Sequence, residues 1–254
     1  AKKSSLIYRA HEPPSREKLV ALKEYLKTFD IEFALGQVVK PATFNGILEK
    51  IIDEEVRPQI MEAVLRSQTQ AYYGPNNVGH FGLSLGSYAH FTSPIRRYAD
   101  LVVHRALVSA YGLEMPKPKL KDVEPITGLT EAAIVKLATT AEAISRTERR
   151  AMEAERETTD RYIAAYLSAQ VGQIVQARIT GVQNFGFFAT VQGIGGDGLV
   201  PVSTLGKDYF HYDEASQTLI GEKTRQEYRP GMCLELRLAE ANPISGSLRF
   251  ELPE

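Results

Sequence analysis

The 254-residue chain holds one cysteine, no tryptophan and four methionines. A single cysteine excludes an intrachain disulfide, so a reducing cytosol is the expected setting. That cysteine, Cys233, falls in an apolar alternating run and is expected in the core. Long apolar runs are also missing. None reaches the ~20 residues of a membrane-spanning helix, so no membrane partner is expected. Neither sign of charge dominates: 30 basic residues stand against 31 acidic ones, for a net charge of −1. Any contact with nucleic acid must therefore come from local basic patches. No targeting pattern opens the chain. Lys2-Lys3-Ser4-Ser5 runs straight into LIYRAHEPPS, and the sequence reads as beginning inside a domain.

The densest run of chemically committed residues is HFGLSLGSYAHFTSPIRRYADLVVHR, His80 to Arg105. It reads as a strand-like piece entering a helix. Ser93 is suited to cap that helix and Pro94 to occupy its first position. Ile95, Tyr98 and Val102 recur at helical spacing as a buried stripe. A helix N-terminus favours anions, and here it carries the hydroxyls of Thr92 and Ser93 followed by Arg96 and Arg97, whose planar forks match phosphate oxygens. A phosphate clamp is one reading. The plain alternative is a capped surface helix with an Arg96–Asp100 ion pair worth about 0.3–0.5 kcal/mol. His80 is balanced between a structural role and a phosphate contact. No other histidine, cysteine or carboxylate stands near it at metal-ligand spacing, and a zinc site is not expected.

This stretch closely resembles the signature of the ribonuclease II/ribonuclease R family of processive 3′-to-5′ exoribonucleases. The match is long and nearly gap-free. The resemblance implies that the segment lies beside the scissile phosphate, that Arg96 assists catalysis, and that Arg97, Tyr98, His104 and Arg105 shape and brace the site as RNA-contacting residues, with His80, Thr92 and Ser93 beside them. It further implies hydrolysis of single-stranded RNA to nucleoside monophosphates with Mg²⁺ held by an aspartate cluster. Asp53, Asp100, Asp122 and Asp160 are isolated, so the metal ligands are expected upstream of this chain, with no metal site inside it.

Taken in order, Ser15 to Phe29 forms an amphipathic pattern with Leu19, Leu22, Leu26 and Phe29 on one face. Ile47, Leu48, Ile51 and Ile52 mark a second helix. Pro58 opens a third, with Ile60, Val64 and Leu65 buried and Arg66, Tyr72 and Tyr73 following. These helices read most simply as packing elements, and in the family this layer supports the RNA channel, so the resemblance makes Arg66, Tyr72 and Tyr73 site candidates. Gly74-Pro75-Asn76-Asn77 is a turn signal. The helix after the signature ends near Gly112. Pro116-Lys117-Pro118-Lys119 with Lys121 makes a basic, proline-stiffened loop that reads as solvated. From Thr130 a charged helix runs to about Gln170, with Ser145, Glu148, Met152, Glu155, Thr159 and Tyr162 on one face. It reads as a salt-bridge-laced surface helix. In the family the corresponding helix carries an AERE-like run, and the resemblance implies that Glu155 in Ala154-Glu155-Arg156-Glu157 orients water or the terminal nucleotide.

At residue 171 the pattern changes to period 2 with frequent glycines, and five strands are expected near 173–182, 184–192, 197–202, 232–239 and 246–252, a small closed barrel. Asn184-Phe185-Gly186-Phe187-Phe188 and Gly198-Leu199-Val200-Pro201-Val202-Ser203 resemble the S-one-type OB-fold module. That likeness implies stacking of single-stranded bases on Phe185 and Phe188, with Tyr209, Phe210 and Tyr212 as further aromatics and one of Phe187 and Phe188 in the core. Pro201 stands where these modules often carry histidine.

The expected architecture is α+β: residues 1–170 as the mostly helical latter part of a ribonuclease catalytic domain, and 171–254 as the OB-fold RNA-binding barrel. Two functions stay open. The chain is a cytoplasmic exoribonuclease segment, inactive alone and partnered by single-stranded RNA and the N-terminal fragment of the same enzyme. Alternatively, it is a non-catalytic RNA-binding or regulatory fragment.

Overall fold

The computed structural model describes residues 4–36, 38–52, 56–114 and 127–253. Asp53, Asp122 and the Pro116–Lys121 loop lie outside the described residues. The chain divides into two compact units. One comprises Ala1–Ser15, Val39–Thr43 and Gln68–Ala151, the other Arg16–Val38, Phe44–Ser67 and Met152–Glu254.

In the first unit, β1 (Tyr8–Ala10) pairs antiparallel with β2 (Tyr72–Gly74), placing Arg9 directly opposite Tyr73. Helix α4 (Tyr98–Tyr111) follows the signature and ends where Gly112 takes a left-handed conformation, φ +60°. That geometry suits glycine, which lacks a Cβ. Thr130 caps α5 (Glu131–Val135) by accepting from the Ala133 N–H, and Lys136 then interrupts the run before α6 (Leu137–Ser168). The expected single helix is thus two. Ile7, Tyr73, Ala99, Val102, Leu137 and Ala141 form the core of this unit.

Four further expectations need correction. Ser93 does not cap α4. Residues 94–96 form a turn, with the Arg96 and Arg97 N–H groups donating to the Ser93 carbonyl, and the helix starts at Tyr98. Ile95 and Tyr98 are not a buried stripe: Ile95 is 98% exposed and Tyr98 51%. The residue paired with Asp100 is Arg97, not Arg96. The segment from His80 is not a strand. It makes a 3-10 turn at Phe81–Leu83 and isolated bridges from His80 to His11 and Leu85.

In the second unit, α1 (Arg16–Lys27) buries Leu19, Leu22, Tyr25 and Leu26. Helix α2 (Pro41–Glu49) stops before Ile51, and α3 (Arg57–Ser67) buries Gln59, Ile60 and Ser67. Leu65 faces outward, 71% exposed, contrary to the pattern-based expectation. Strands β3 (Ile174–Gln183), β4 (Gly186–Val191), β5 (Asp197–Pro201), β9 (Cys233–Asn242) and β10 (Ser247–Glu251) close into a barrel in the order β10-β5-β4-β3-β9. These are the five strands the alternation predicts. Between β5 and β9, β6 (Phe210–Asp213), β7 (Thr218–Gly221) and β8 (Glu227–Tyr228) make a separate three-stranded sheet. The core comprises Ala177, Ile179, Phe187, Val200, Leu236, Leu238, Phe250 and their neighbours, and it includes Phe210 of the insertion. Phe210 is therefore a packing residue. Cys233 is exposed, because it shares outward parity with Glu235 on β9. Gly186 has φ +147°, and a Cβ there would stand 2.2 Å from the Val200 carbonyl, so only glycine fits beside β5.

Candidate nucleic-acid interface

The site in the first unit is built around Asp100, in the first turn of α4 and fully buried. Its carboxylate accepts from the Ser93 N–H at 2.7 Å, Arg97 Nε at 2.8 Å and Arg97 Nη2 at 2.9 Å. Burial alone would push this carboxyl up; the hydrogen bonds from Arg97 and Ser93 and the guanidinium charge outweigh it and hold the group below the usual carboxylate range. An acid in a helix's first turn also gains from the unpaired N–H groups there. The Thr92–Arg97 bend is thereby tied to α4 through one side chain. Arg96, at the end of the turn, is exposed, and its guanidinium has no hydrogen-bond or ion-pair partner among the described residues.

Around this bend lies a row of rings. The Arg9 guanidinium lies 4.6 Å from the Tyr73 ring centroid and pairs with Glu148 at 2.7 Å. The Tyr73 hydroxyl meets His90 Nδ1 at 2.8 Å, and edge contacts run from His90 to Tyr88 and from Tyr88 to His80. His80 adjoins His11, ring centroids 4.9 Å apart. His11 Nδ1 accepts from the Gly82 N–H, so its Nε2–H donates to the Thr69 carbonyl, which fixes the neutral tautomer. Desolvation, then the charges of Arg97 and Arg9, lower the pKa of His90. Desolvation, then His11 and Arg9, lower that of His80.

Of the sequence candidates, His80, Thr92, Ser93, Arg96, Arg97, Tyr98, His104 and Arg105 all fall in this unit. Several are braced rather than free. His104 meets the Phe91 carbonyl at 2.9 Å and stacks on the Phe91 ring at 4.2 Å. Arg105 donates to the carbonyls of Thr127 and Gly128. Glu155 lies in the second unit, exposed, its carboxylate without a partner among the described residues. Sequence reasoning did not offer Arg9, His11 or His90 as site residues; it named Tyr73 only through the family's helical layer, Asp100 only as an isolated aspartate and a partner for Arg96, and Glu148 only as one residue of a helix face. Glu148 was visible three residues after Ser145 on one face of α6, whose hydroxyl accepts from the Tyr73 N–H. Nothing local marked Arg9, His11 or His90.

On the barrel, Phe187 is buried against Tyr228, while Phe185 and Phe188 are 51% and 37% exposed and meet edge to face at 6.1 Å. Tyr209 is exposed beside His211. Asp208 secures that loop, accepting from the Thr224 hydroxyl and from the N–H groups of Thr224, Lys223 and Tyr209, which lower its pKa to about 2. Among the described residues no group of three histidine, cysteine or carboxylate side chains could hold a metal ion. Asp100 and Glu148 are already engaged by arginines, so the described residues do not fit a metal centre.

The RNB domain model matches residues 1–112, and the S1 RNA binding domain model matches residues 168–226. Ribonuclease R of Vibrio cholerae is 36% identical over 252 residues, 99% of this chain, and that of Escherichia coli 35% over 250 residues, 98% of this chain. Nearly the whole chain is thus similar to the ribonuclease R proteins of these two bacteria. It spans 30% of the length of these two relatives. The apo form of Mycoplasma genitalium RNase R superposes with a TM-score of 0.83 and 28% identity, covering 98% of this chain and 38% of that one. The same enzyme in complex with ribose-methylated single-stranded RNA gives 0.82 and 27%, with the same coverage. The closed barrel and the mixed helix-and-sheet architecture expected of a ribonuclease R relative are both present. Among the described residues no helix is long and apolar enough to cross a membrane.

Proposed function

We propose that this chain is a segment of a cytoplasmic, processive 3′-to-5′ exoribonuclease that hydrolyses single-stranded RNA to nucleoside monophosphates. The observation that carries this reading is the Asp100-anchored turn, which leaves Arg96 exposed and unpaired. A guanidinium held on a fixed bend, with its own donors uncommitted, is suited to phosphate oxygens. Arg96 would stabilise charge at the scissile phosphate, with His80, Thr92 and Ser93 contacting the strand. Arg97, His104 and Arg105 would hold the frame and Tyr98 its exposed edge. Glu155 would orient water or the terminal nucleotide. Mg²⁺ would be the metal, carried by carboxylates outside this chain and supplied by the rest of the enzyme. Metal ions can activate the attacking water and stabilise the leaving oxygen. The barrel from about residue 171 would hold the incoming strand on Phe185 and Phe188, with Tyr209 alongside; the Mycoplasma genitalium relative in complex with single-stranded RNA supports RNA as the partner. The division near residue 170 is supported by the end of α6 at Ser168 and the start of β3 at Ile174.

The test is Arg96→Lys in enzyme reconstituted with the remaining catalytic polypeptide. Single-turnover cleavage should fall more than RNA affinity, because Lys keeps the charge and loses the fork. Equal losses would make Arg96 an RNA clamp. Binding that survives without any cleavage on reconstitution would favour a regulatory RNA-binding role.

A further inference from the structure

Arg66 of α3 belongs to no strand of the barrel, yet its Nη2 donates to the Thr180 carbonyl at 3.1 Å. That carbonyl sits at the β3 irregularity, where the register against β4 shifts between Ile179 and Gly181. A bulge leaves backbone groups outside the ladder, and Arg66 satisfies one of them. Gly181 follows, and a Cβ built on it would stand 3.9 Å from Arg66 Nη1. Across the ladder, Gly181 is the partner of Phe188, the exposed ring of β4. The helix thus sets a guanidinium on the outer face of the barrel at the strand position facing Phe188.

The donor inventory is informative. A guanidinium carries five N–H donors. Nη2 serves the Thr180 carbonyl and Glu62 Oε1, the latter at 2.6 Å. No described residue engages Nε or Nη1. The side chain is 58% exposed, and it lines a cavity of about 170 Å³ together with Tyr25, Gln59 and Thr180, so open space adjoins it. Two bonds fix the fork in place while three donors remain for a ligand. The adjoining surface is aromatic, and the combination of exposed ring and fixed cation matches a base with its own phosphate. A single-stranded nucleic acid presents that pair at every nucleotide.

We propose that Arg66 binds a backbone phosphate of the RNA strand whose bases lie on Phe188 and Phe185, so that the RNA face of the barrel extends onto α3. This rests on the reading of the barrel face as an RNA platform. Glu62 opposes it: its carboxylate occupies part of the fork and adds negative charge near the phosphate.

The test uses this chain and 5′-labelled oligouridylate, with dissociation constants measured by anisotropy across a salt series and melting temperature as the folding control. Arg66→Met should weaken binding about fivefold or more at low salt and reduce the salt slope by about 0.7, the loss of one phosphate contact on a single strand. Glu62→Gln should tighten binding about twofold or more, which a merely structural role for Arg66 does not produce. This second variant decides the matter if Arg66→Met fails to fold. The Phe185→Ala, Phe188→Ala double variant separates the two ideas. If it weakens binding and neither Arg66→Met nor Glu62→Gln changes it, the Arg66 assignment falls and the platform stands. If the double variant binds as tightly as the parent, the platform itself falls. Weaker binding by Arg66→Met with an unchanged salt slope would reduce Arg66 to a brace for the β3 bulge and overturn the proposal.

Discussion

Asp100→Asn should loosen the turn that carries Arg96, and its magnitude follows from the contacts. The buried carboxylate accepts three hydrogen bonds, two of them from Arg97. An Asn side chain keeps one acceptor oxygen and presents an NH₂ to donors that cannot accept it. Hydrogen bonds to charged groups contribute about 1.5–3 kcal/mol each, and breaking a buried pair costs about 3–5 kcal/mol. The Arg97 side chain is 23% exposed, so water recovers part of that loss. A destabilisation of about 2–4 kcal/mol results. At about 2–4 °C per kcal/mol for a chain of this size, the melting temperature should fall by roughly 4–16 °C. Urea unfolding followed by circular dichroism measures it. The pH dependence gives a second reading. Because the folded carboxyl titrates below its unfolded value, its contribution is present above about pH 4 and is lost as pH falls through the folded pKa. The variant should lack that acid-side loss. A change under about 0.5 kcal/mol, with the same acid profile as the parent, would refute the anchoring role.

Four further outcomes are expected. His80 and His90 both have lowered pKa values, so the folded state binds fewer protons than the unfolded chain near their titration. Stability should be full above about pH 6.5 and decline as pH falls through the folded values, and His90→Asn should flatten that decline in urea midpoints. Gly186→Ala should destabilise the barrel by about 1–3 kcal/mol through its clash with the Val200 carbonyl, read as a lower urea midpoint. Phe185→Ala with Phe188→Ala should weaken oligouridylate binding by at least about tenfold, at about 1–3 kcal/mol per stacked base, with little change in melting temperature. Cys233 should react with a thiol reagent in the native protein within minutes, since it is exposed.

The barrel was legible because its signals are local. Period-2 alternation placed five strands, and Phe187 and Phe188, adjacent on β4, necessarily face opposite sides. Gly112 at the end of α4 was legible for the same reason. The failures share a cause as well. Ser93-Pro94 has the composition of a helix start, but a buried carboxylate seven residues later draws the Ser93 N–H into a turn and moves the helix to Tyr98. Spacing alone could not choose between Arg96 and Arg97 as the partner of Asp100. Cys233 seemed apolar by composition, whereas the strand register gives it the outward parity of Glu235. Arg9, Tyr73 and Glu148 come from distant parts of the chain, and only the folded unit brings them together.

The most direct measurement of the central claim combines this chain alone with 5′-labelled single-stranded RNA and Mg²⁺, with a chelator control, following binding and strand length together. The account predicts binding without shortening, with cleavage appearing only when the rest of the catalytic polypeptide is added. Stepwise, chelator-sensitive shortening from the 3′ end by this chain alone would contradict it, and so would a failure to bind the RNA.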